Sequence, residues 1–391
     1  MVSRAPRLRV SFALGSWQVV SLAAALRDAG PAAAGEVEDV LVLYETGPAS
    51  EALQAAMREI AGVAWPWRRV VDAFELFAPV RRRLGQRAFD DACARLRALV
   101  GAGDVDALWL CWLSRPAEKL ILETFPEARV FFYEDGLTSY LPLPRARTPG
   151  TSGPLAALRA RLAARLDAWR PVRRLRRHKG RIDPRHAARV VAARMLLADL
   201  WPAPEALAHV PWHAVAPAAL RETLADCRRI AAVAGFAAPA ATRPAVLVVG
   251  QALSRFGALP RDAELAIYRD AVLQIAGLGY DVWWKEHPRA EQPFFAELAA
   301  AAPPGRLREL ALPFALPVEL VAGRLGLVAC VAGISAVLYY LPRLEGIAAY
   351  TFADAFVPFL RERWALQNDM VRRSVAPLGA LPALPTAAPA P

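Results

Sequence analysis

Three polar clusters in the sequence each follow a short apolar run and bring together residues that can do chemistry. They are Glu134–Asp135–Gly136, Lys285–Glu286–His287–Pro288–Arg289 and Gly333–Ile334–Ser335. A carboxylate can take a proton from a hydroxyl, and a histidine between cationic side chains can donate to a phosphate. A Gly-x-Ser turn that opens a helix offers N–H groups and a hydroxyl to an anion. The sequence therefore contains a candidate base, a candidate acid and a candidate phosphate cradle, although each motif alone is also typical of a turn or a helix cap.

These clusters stand at the ends of predicted strands. The apolar runs predict strands over 8–14, 39–45, 106–113, 128–134, 245–251, 281–286, 325–331 and 345–351. Helical patterns lie over 17–30, 49–61, 86–100, 115–124, 262–278, 291–301 and 354–373. Continuous apolar strands separated by helices indicate parallel sheets covered on both faces, and ligands bind at the carboxyl ends of such strands. The polar clusters are therefore placed where a ligand is expected.

The length of 391 residues exceeds what one ordinary core holds. We predict an α/β chain with two Rossmann-like domains, whose parallel sheets face each other across a cleft. The first domain spans 1–238 and carries a basic helical insertion at about 145–215. The second spans 239–376, with a last helix that could cross back, and 377–391 form a disordered Pro/Ala tail.

The net charge of +11 is concentrated in one segment. Residues 145–194 contain fifteen Lys or Arg and two acids, a net +13, so the rest of the chain is close to neutral. Within this segment the apolar residues Leu155, Leu158, Leu162, Leu166 and Trp169 recur at helical spacing. The pattern fits an amphipathic helix on an anionic membrane surface, and equally a helix packed on its own domain with a solvated arginine face. A non-enzymatic basic protein that binds nucleic acid or membrane is the alternative of another class.

Two segments imitate targeting or membrane signals. Residues 4–26 resemble a signal peptide, but a polar interruption favours strand, loop and helix. The uncharged run 325–342 is better divided into a strand, a tight turn and a short helix. The four cysteines, with no CxxC pair among them, indicate buried thiols in a reducing compartment. We expect a cytoplasmic protein, with peripheral association at the inner membrane through the basic segment.

Five short motifs together resemble the bacterial sialyltransferases, especially the polysialyltransferases and the lipooligosaccharide sialyltransferases. They are YEDG at 133–136, LVVGQAL at 247–253, KEHPR at 285–289, LPVEL at 316–320 and AGISAVL at 332–338. They match the family's D/E-D/E-G, Gly-Gln, HP, Pro-x-Glu-Leu and serine motifs in type and order. The resemblance spans both halves of the chain, and its specificity lies in the whole set.

The resemblance implies a GT-B glycosyltransferase that is inverting and metal-independent and uses a CMP-activated nonulosonic acid. Asp135 would be the base on the acceptor hydroxyl, and His287 the acid or hydrogen-bond donor to the departing CMP phosphate. The donor would be bound by Gly250, Gln251, Lys285, Arg289, Glu319, Gly333 and Ser335, with Ser335 on the phosphate and Glu319 on the ribose. The acceptor or the cleft would be lined by Glu134, Gly136, Gly15 and Gln18, the last two because they follow the first strand and open a helix.

One departure concerns the donor. The family's serine motif often has two hydroxyl residues, and Ile334 fills the first place here. A GT-B transferase that uses CMP-Kdo or another nucleotide sugar therefore stays open as an alternative. If the chain is a glycosyltransferase, we expect as partners a nucleotide-sugar donor, a glycan acceptor such as capsule or lipooligosaccharide, and an anionic membrane surface. No cofactor, no metal and no nucleic acid are expected.

Overall fold

A computed structural model of the chain describes residues 7–30, 37–45, 50–77, 85–101, 103–141, 172, 180–238, 243–290, 292–313 and 315–385. The described residues form two compact α/β units. The first contains Met1–Asp135 and Pro142–Thr223, and the second contains Gly136–Leu141 and Leu224–Pro391. Each unit is built around its own parallel sheet.

The described strands of the first unit lie in one seven-stranded sheet of order β3-β2-β1-β4-β5-β6-β7, and every pair of neighbours is parallel. The strands are β1 (Arg7–Ala13), β2 (Val37–Leu43), β3 (Arg69–Asp72), β4 (Val105–Leu110), β5 (Arg129–Tyr133), β6 (Val190–Met195) and β7 (Trp212–Ala214). The helices are α1 (Ser16–Ala29), α2 (Glu51–Ala64), α3 (Phe74–Phe77), α4 (Gln86–Val100), α5 (Pro116–Thr124), α6 (Pro184–Ala187) and α7 (Pro217–Cys227), which runs on into the second unit. The strand order reverses between β1 and β4, and ligands of open α/β sheets bind at such a reversal.

The described strands of the second unit form a parallel six-stranded sheet of order β10-β9-β8-β11-β12-β13. The strands are β8 (Ala245–Val249), β9 (Asp281–Lys285), β10 (Leu307–Glu309), β11 (Leu327–Ala332), β12 (Ala348–Thr351) and β13 (Ala376–Pro377). The helices are α8 (Ala231–Ala234), α9 (Arg261–Gly277), α10 (Phe295–Ala301), α11 (Val337–Glu345) and α12 (Glu362–Ser374). Here the order reverses between β8 and β11.

The strands that lead to the polar clusters are apolar because helices cover both faces of the sheets. Val10 and Phe12 of β1 and Val246 and Val248 of β8 are fully buried. Trp284 of β9 is buried as well, in the core beneath the second sheet. This burial fixes the ends of the strands, and with them the backbone that carries the polar clusters.

The predicted α/β class with two parallel sheets, one in each unit, is confirmed. The sequence prediction omitted β3, β6, β7, β10 and β13, which are short or lie beside the basic segment. The predicted strand–turn–helix over 325–342 is confirmed, since β11 is followed by a turn and then by α11.

The domain limits differ from the sequence-based ones. The chain enters the second unit at Leu224 rather than at 239. The reason is that Arg228 donates to the Leu320 carbonyl at 3.2 Å and pairs with Glu345 at 2.8 Å, so the end of α7 packs with the second unit.

Two further predicted segments have a different structure where they are described. Within the predicted helical insertion at 145–215, Val190–Met195 and Trp212–Ala214 are strands of the first sheet. Most of the basic segment, including the predicted helix with Leu155 and Trp169, lies outside the described residues. In the predicted tail, Pro377 belongs to β13 and Leu378–Ala380 form a 3-10 helix, whereas 386–391 lie outside the described residues.

Candidate active-site residues in each unit

Asp135 lies two residues beyond β5, at the carboxyl edge of the first sheet, and its carboxylate accepts two side-chain hydrogen bonds. Gln18 Nε2 donates to Oδ1, and Trp112 Nε1 donates to Oδ2. Gln18 is in the first turn of α1, after β1, and Trp112 follows β4. The two donors therefore stand on either side of the strand-order reversal of this sheet. Both oxygens of the candidate base thus accept an N–H group, which is the arrangement that orients a carboxylate.

Glu134 positions the backbone of the same turn. It is 1 % exposed, and its Oε2 accepts the backbone N–H groups of Leu196 at 2.6 Å and Leu197 at 3.0 Å. Its carbonyl accepts from the Ser21 hydroxyl at 2.9 Å. The structure thus gives Glu134 a role within the unit, joining the end of β5 to the end of β6. Its predicted place at the acceptor or the cleft stays a prediction.

The two predicted glycines of this region are needed for different reasons. Gly136 has φ +86° and ψ −153°, a backbone conformation that is essentially restricted to glycine. Gly15 is extended, and a Cβ there would lie 2.2 Å from Gln18 Oε1. Gly15 therefore leaves the room in which the Gln18 amide reaches Asp135.

A group of residues behind Trp112 was missed by the sequence prediction. The Arg115 guanidinium lies 3.6 Å from the centroid of the Trp112 ring, a cation–π contact. Tyr44 donates to Glu118 Oε1 at 2.5 Å, and Glu118 is fully buried. Burial raises the pKa of Glu118, against the opposing charge of Arg115.

The charge of Arg115 is stabilised by the same group. Burial lowers its pKa, but the carboxylates of Glu118 and Asp135 outweigh burial, so that the pKa of Arg115 is raised. Arg115 and Trp112 lie in the strand-end stretch CWLSRP at 111–116. Their position after a strand was a usable signal, although the sequence could not show that the indole faces Asp135.

In the second unit, His287 follows β9 and is partly buried. Burial, followed by the positive charges of Arg289, Lys285 and Arg255, lowers its pKa to about 3. Its Nδ1 accepts the backbone N–H of Arg289 at 3.0 Å. The imidazole is therefore neutral at pH 7, and its proton is on Nε2, which is left as a hydrogen-bond donor. Arg255 is the cation in this cluster that the sequence prediction missed.

The turn that carries His287 is fixed by its acidic neighbour. Glu286 is 6 % exposed, and its Oε2 accepts Trp284 Nε1 at 3.0 Å and the Phe294 N–H at 2.8 Å. Lys285 Nζ donates to the Glu286 carbonyl at 3.0 Å. Burial lowers the pKa of Lys285 to about 8, against the charges of nearby carboxylates that include Glu319. Lys285 thus forms part of the buried support of the turn.

Glu319 lies in the 3-10 helix Val318–Leu320 and is 7 % exposed. Burial raises its pKa to about 7, and a backbone hydrogen bond and the charge of Lys285 oppose that rise. A buried carboxyl of this kind can accept hydrogen bonds from hydroxyl groups. This chemistry is compatible with the ribose role that the resemblance implies.

The predicted phosphate cradle lies on either side of the strand-order reversal in the second sheet. Gln251, two residues beyond β8, accepts the Ile334 N–H on Oε1 at 2.6 Å. Gln251 Nε2 is buried and has no hydrogen-bond partner among the described residues. Ser335 Oγ accepts the Val337 N–H at 3.3 Å, in the first turn of α11. The amide of Gln251 and the hydroxyl of Ser335 therefore each retain a donor for a ligand.

Two glycines make this cradle possible. A Cβ at Gly333 would lie 2.1 Å from Phe356 Cε2 and 3.0 Å from Gln251 Oε1. A Cβ at Gly250 would lie 2.9 Å from Trp284 Cζ2. A side chain at either position would displace the groups that shape the turn.

Two searches of the described residues complete the description. No three His, Cys, Asp or Glu side chains within this part of the chain are grouped so that they could hold a metal ion. None of the helices in the same residues combines the length and apolarity that a membrane crossing requires.

Comparison with known proteins identifies a family. The family model for alpha-2,8-polysialyltransferase (POLYST) matches residues 104–353. No curated protein matches the chain. Similar solved structures include a Photobacterium sp. JT-ISH-224 (Vibrionaceae) 2,6-sialyltransferase in a ternary complex with the donor product CMP and the acceptor lactose, with 10% identity and a TM-score of 0.47 over 95% of this chain and 78% of that chain. Another is Phytolacca americana UGT2 with UDP-2-fluoro-glucose and pterostilbene, with 11% identity and a TM-score of 0.47 over 95% of this chain and 84% of that chain.

Proposed function

Because the chain belongs to the alpha-2,8-polysialyltransferase family, we propose that it moves sialic acid, or a related nonulosonic acid, from a CMP-sugar to a cell-surface glycan such as a capsule or lipooligosaccharide. The transfer inverts the anomeric centre and needs no metal ion. The chain is a sialyltransferase-type glycosyltransferase. The alternative of a non-enzymatic basic protein that binds nucleic acid or membrane is therefore not adopted.

The observation that carries this proposal is the state of His287. Its imidazole is neutral, its Nδ1 is occupied, and Arg289, Lys285 and Arg255 surround it with positive charge. A neutral ring with its proton on Nε2 is suited to donate a hydrogen bond to a phosphate oxygen, and the cations favour an anionic ligand. Stabilising charge on a leaving phosphate is the main task in a transfer through an oxocarbenium-like state.

Asp135 supplies the other half of the step. An acceptor hydroxyl oxygen forms a bond to the anomeric carbon of the sugar while the bond from that carbon to the CMP phosphate oxygen breaks. The hydroxyl proton goes to the Asp135 carboxylate, and the electron pair of the broken bond leaves on CMP, where His287 donates to it. Attack on the face opposite the phosphate inverts the configuration. Gln18 and Trp112 hold the carboxylate in one orientation for this proton transfer.

The nucleotide is assigned to the cradle of the second unit. Gln251 Nε2 and the Ser335 hydroxyl are donors for the phosphate region, and Glu319 accepts from the ribose hydroxyls. Ile334 contributes no hydroxyl, and its N–H is already bonded to Gln251. CMP-Kdo therefore remains the alternative donor, since the phosphate region has one hydroxyl fewer than the family's usual pair.

The experiment is a transfer assay with CMP-sialic acid and CMP-Kdo as separate donors, in buffer with EDTA. We expect CMP release and a glycosylated product with one of the two donors. Asp135→Ala should abolish transfer and retain CMP affinity. Asp135→Asn keeps the size of the side chain but lacks the carboxylate, so it should be inactive as well. Loss of activity in EDTA, restored by a divalent ion, would contradict the metal-independent mechanism, and absence of transfer from either CMP-sugar would contradict the donor class.

A further inference from the structure

Two aromatic side chains stand beside His287 in the second unit. The Phe256 ring meets the His287 ring edge-on, with centroids 6.4 Å apart and an interplanar angle of 88°. On another side it stacks with Trp364, at 6.0 Å and 28°. Phe256 lies in the turn after β8, and Trp364 lies near the start of α12.

Phe256 is unusually exposed for an aromatic ring. It is 40 % exposed, and Phe359 at 38 % is the other aromatic side chain among the exposed large hydrophobic residues of the described chain. Trp364 is partly buried against the core of the unit, and Arg363 lies 5.0 Å from the centroid of its ring. An exposed ring that rests on a supported second ring is a surface on which another apolar face can gain by burial.

The turn that carries Phe256 is fixed in shape. The fully buried Glu264 carboxylate accepts the Leu253 N–H at 2.8 Å and the Ser254 N–H at 2.7 Å. Ala252, in the same turn, has φ +52°, a conformation that a residue with a side chain keeps only where its surroundings determine it. Phe256 is thus presented beside His287 by a rigid turn, as a binding surface requires.

We propose that Phe256, supported by Trp364, binds the apolar face of a pyranose ring at the reaction centre. This inference rests on the proposed function, in which His287 donates to the leaving phosphate. A sugar is joined to that phosphate through one oxygen, so its ring falls within reach of a side chain whose centroid is 6.4 Å from the imidazole. The ring belongs either to the transferred sugar of the donor or to the terminal sugar of the acceptor, since both meet at the same bond.

The test compares ligands with and without the sugar. In Phe256→Ala the affinity for CMP, which lacks a sugar ring, should be unchanged in calorimetry. The KM for the CMP-sugar or for the acceptor should rise about tenfold, as expected for the loss of one stacked ring. A higher KM for the CMP-sugar would show that Phe256 binds the transferred sugar. A higher KM for the acceptor would show that it binds the terminal sugar of the acceptor. Phe256→Tyr, which keeps the ring, should restore both values.

Phe359→Ala is the matched control, because Phe359 is exposed to a similar degree, and the ring contact that His287 makes within the described part of the chain is with Phe256. Its KM values should equal those of the wild type. Unchanged KM values in Phe256→Ala would overturn the proposal, as would an equal fall in CMP affinity, which would place the nucleotide base on the ring. A wild-type chain that binds no cytidine nucleotide would refute the proposed function itself, so the two failures are distinguishable.

Discussion

The free energy of unfolding of the wild-type protein should fall in acid by more than that of the His287→Gln variant. The pKa of His287 is about 3, because burial and the charges of Arg289, Lys285 and Arg255 oppose its protonation. An unfolded histidine titrates near pH 6.5. Below that pH the unfolded chain binds a proton that the folded chain does not bind. The free energy of unfolding therefore falls as the pH falls from 6.5 towards 3.

The size of this effect follows from the two pKa values. Between pH 7.5 and pH 5.0 the unfolded histidine becomes almost fully protonated while the folded one stays neutral, which costs about 2 kcal/mol. Urea unfolding of the full chain, followed by fluorescence at both pH values, measures the change in the wild type and in His287→Gln. Other titrating groups are common to the two proteins, so the wild type should lose about 2 kcal/mol more than the variant. An equal loss would show that the imidazole titrates normally in the fold and would refute the neutral state on which its role depends.

Three further changes test other parts of the structure. Trp112→Phe removes an N–H donor to the candidate base and should lower kcat about tenfold or more, with the donor KM unchanged. An unaffected kcat in steady-state kinetics would refute the orienting role. Gly333→Ala would place a Cβ against Phe356 and should lower the unfolding free energy by about 1–3 kcal/mol, whereas Gly277→Ala, which has open space at its Cβ, should not. Deletion of 155–170 should reduce sedimentation with anionic vesicles more than turnover on a soluble acceptor; equal losses would favour the alternative of a helix packed on its own domain.

Much of the fold was predictable because continuous apolar strands alternate with amphipathic helices. The strands that end at the chemical residues were placed correctly, since β5 and β9 are buried and terminate in polar residues. The edge strands were not predicted. Val70 of the edge strand β3 is exposed, and the edge strands β7 and β10 have three residues each, so their pattern is too short to distinguish from loop. The inner strand β6 was missed as well, and its Val191 is exposed.

The candidate site was predictable at the level of residue type and strand end, but not at the level of side-chain contacts. The sequence contains Asp135 and Gln18 117 positions apart, and only the parallel order of β1, β4 and β5 brings Gln18 and Trp112 to the same carboxylate. The role of Glu134 depends on the return of the chain through β6, a strand that the basic composition of its surroundings concealed. The tautomer of His287 depends on a backbone N–H two residues away, which the HP motif alone does not indicate.

The central claim is that the second unit binds a cytidine nucleotide, and a thermal-shift panel of CMP, UDP, GDP and ADP tests it most directly. A ligand that binds only the folded state raises the unfolding free energy by about 2.7 kcal/mol at a concentration one hundred times its Kd. We predict that CMP raises the melting temperature and that the other three nucleotides at the same concentration do not. A shift with UDP, GDP or ADP and none with CMP would contradict the account.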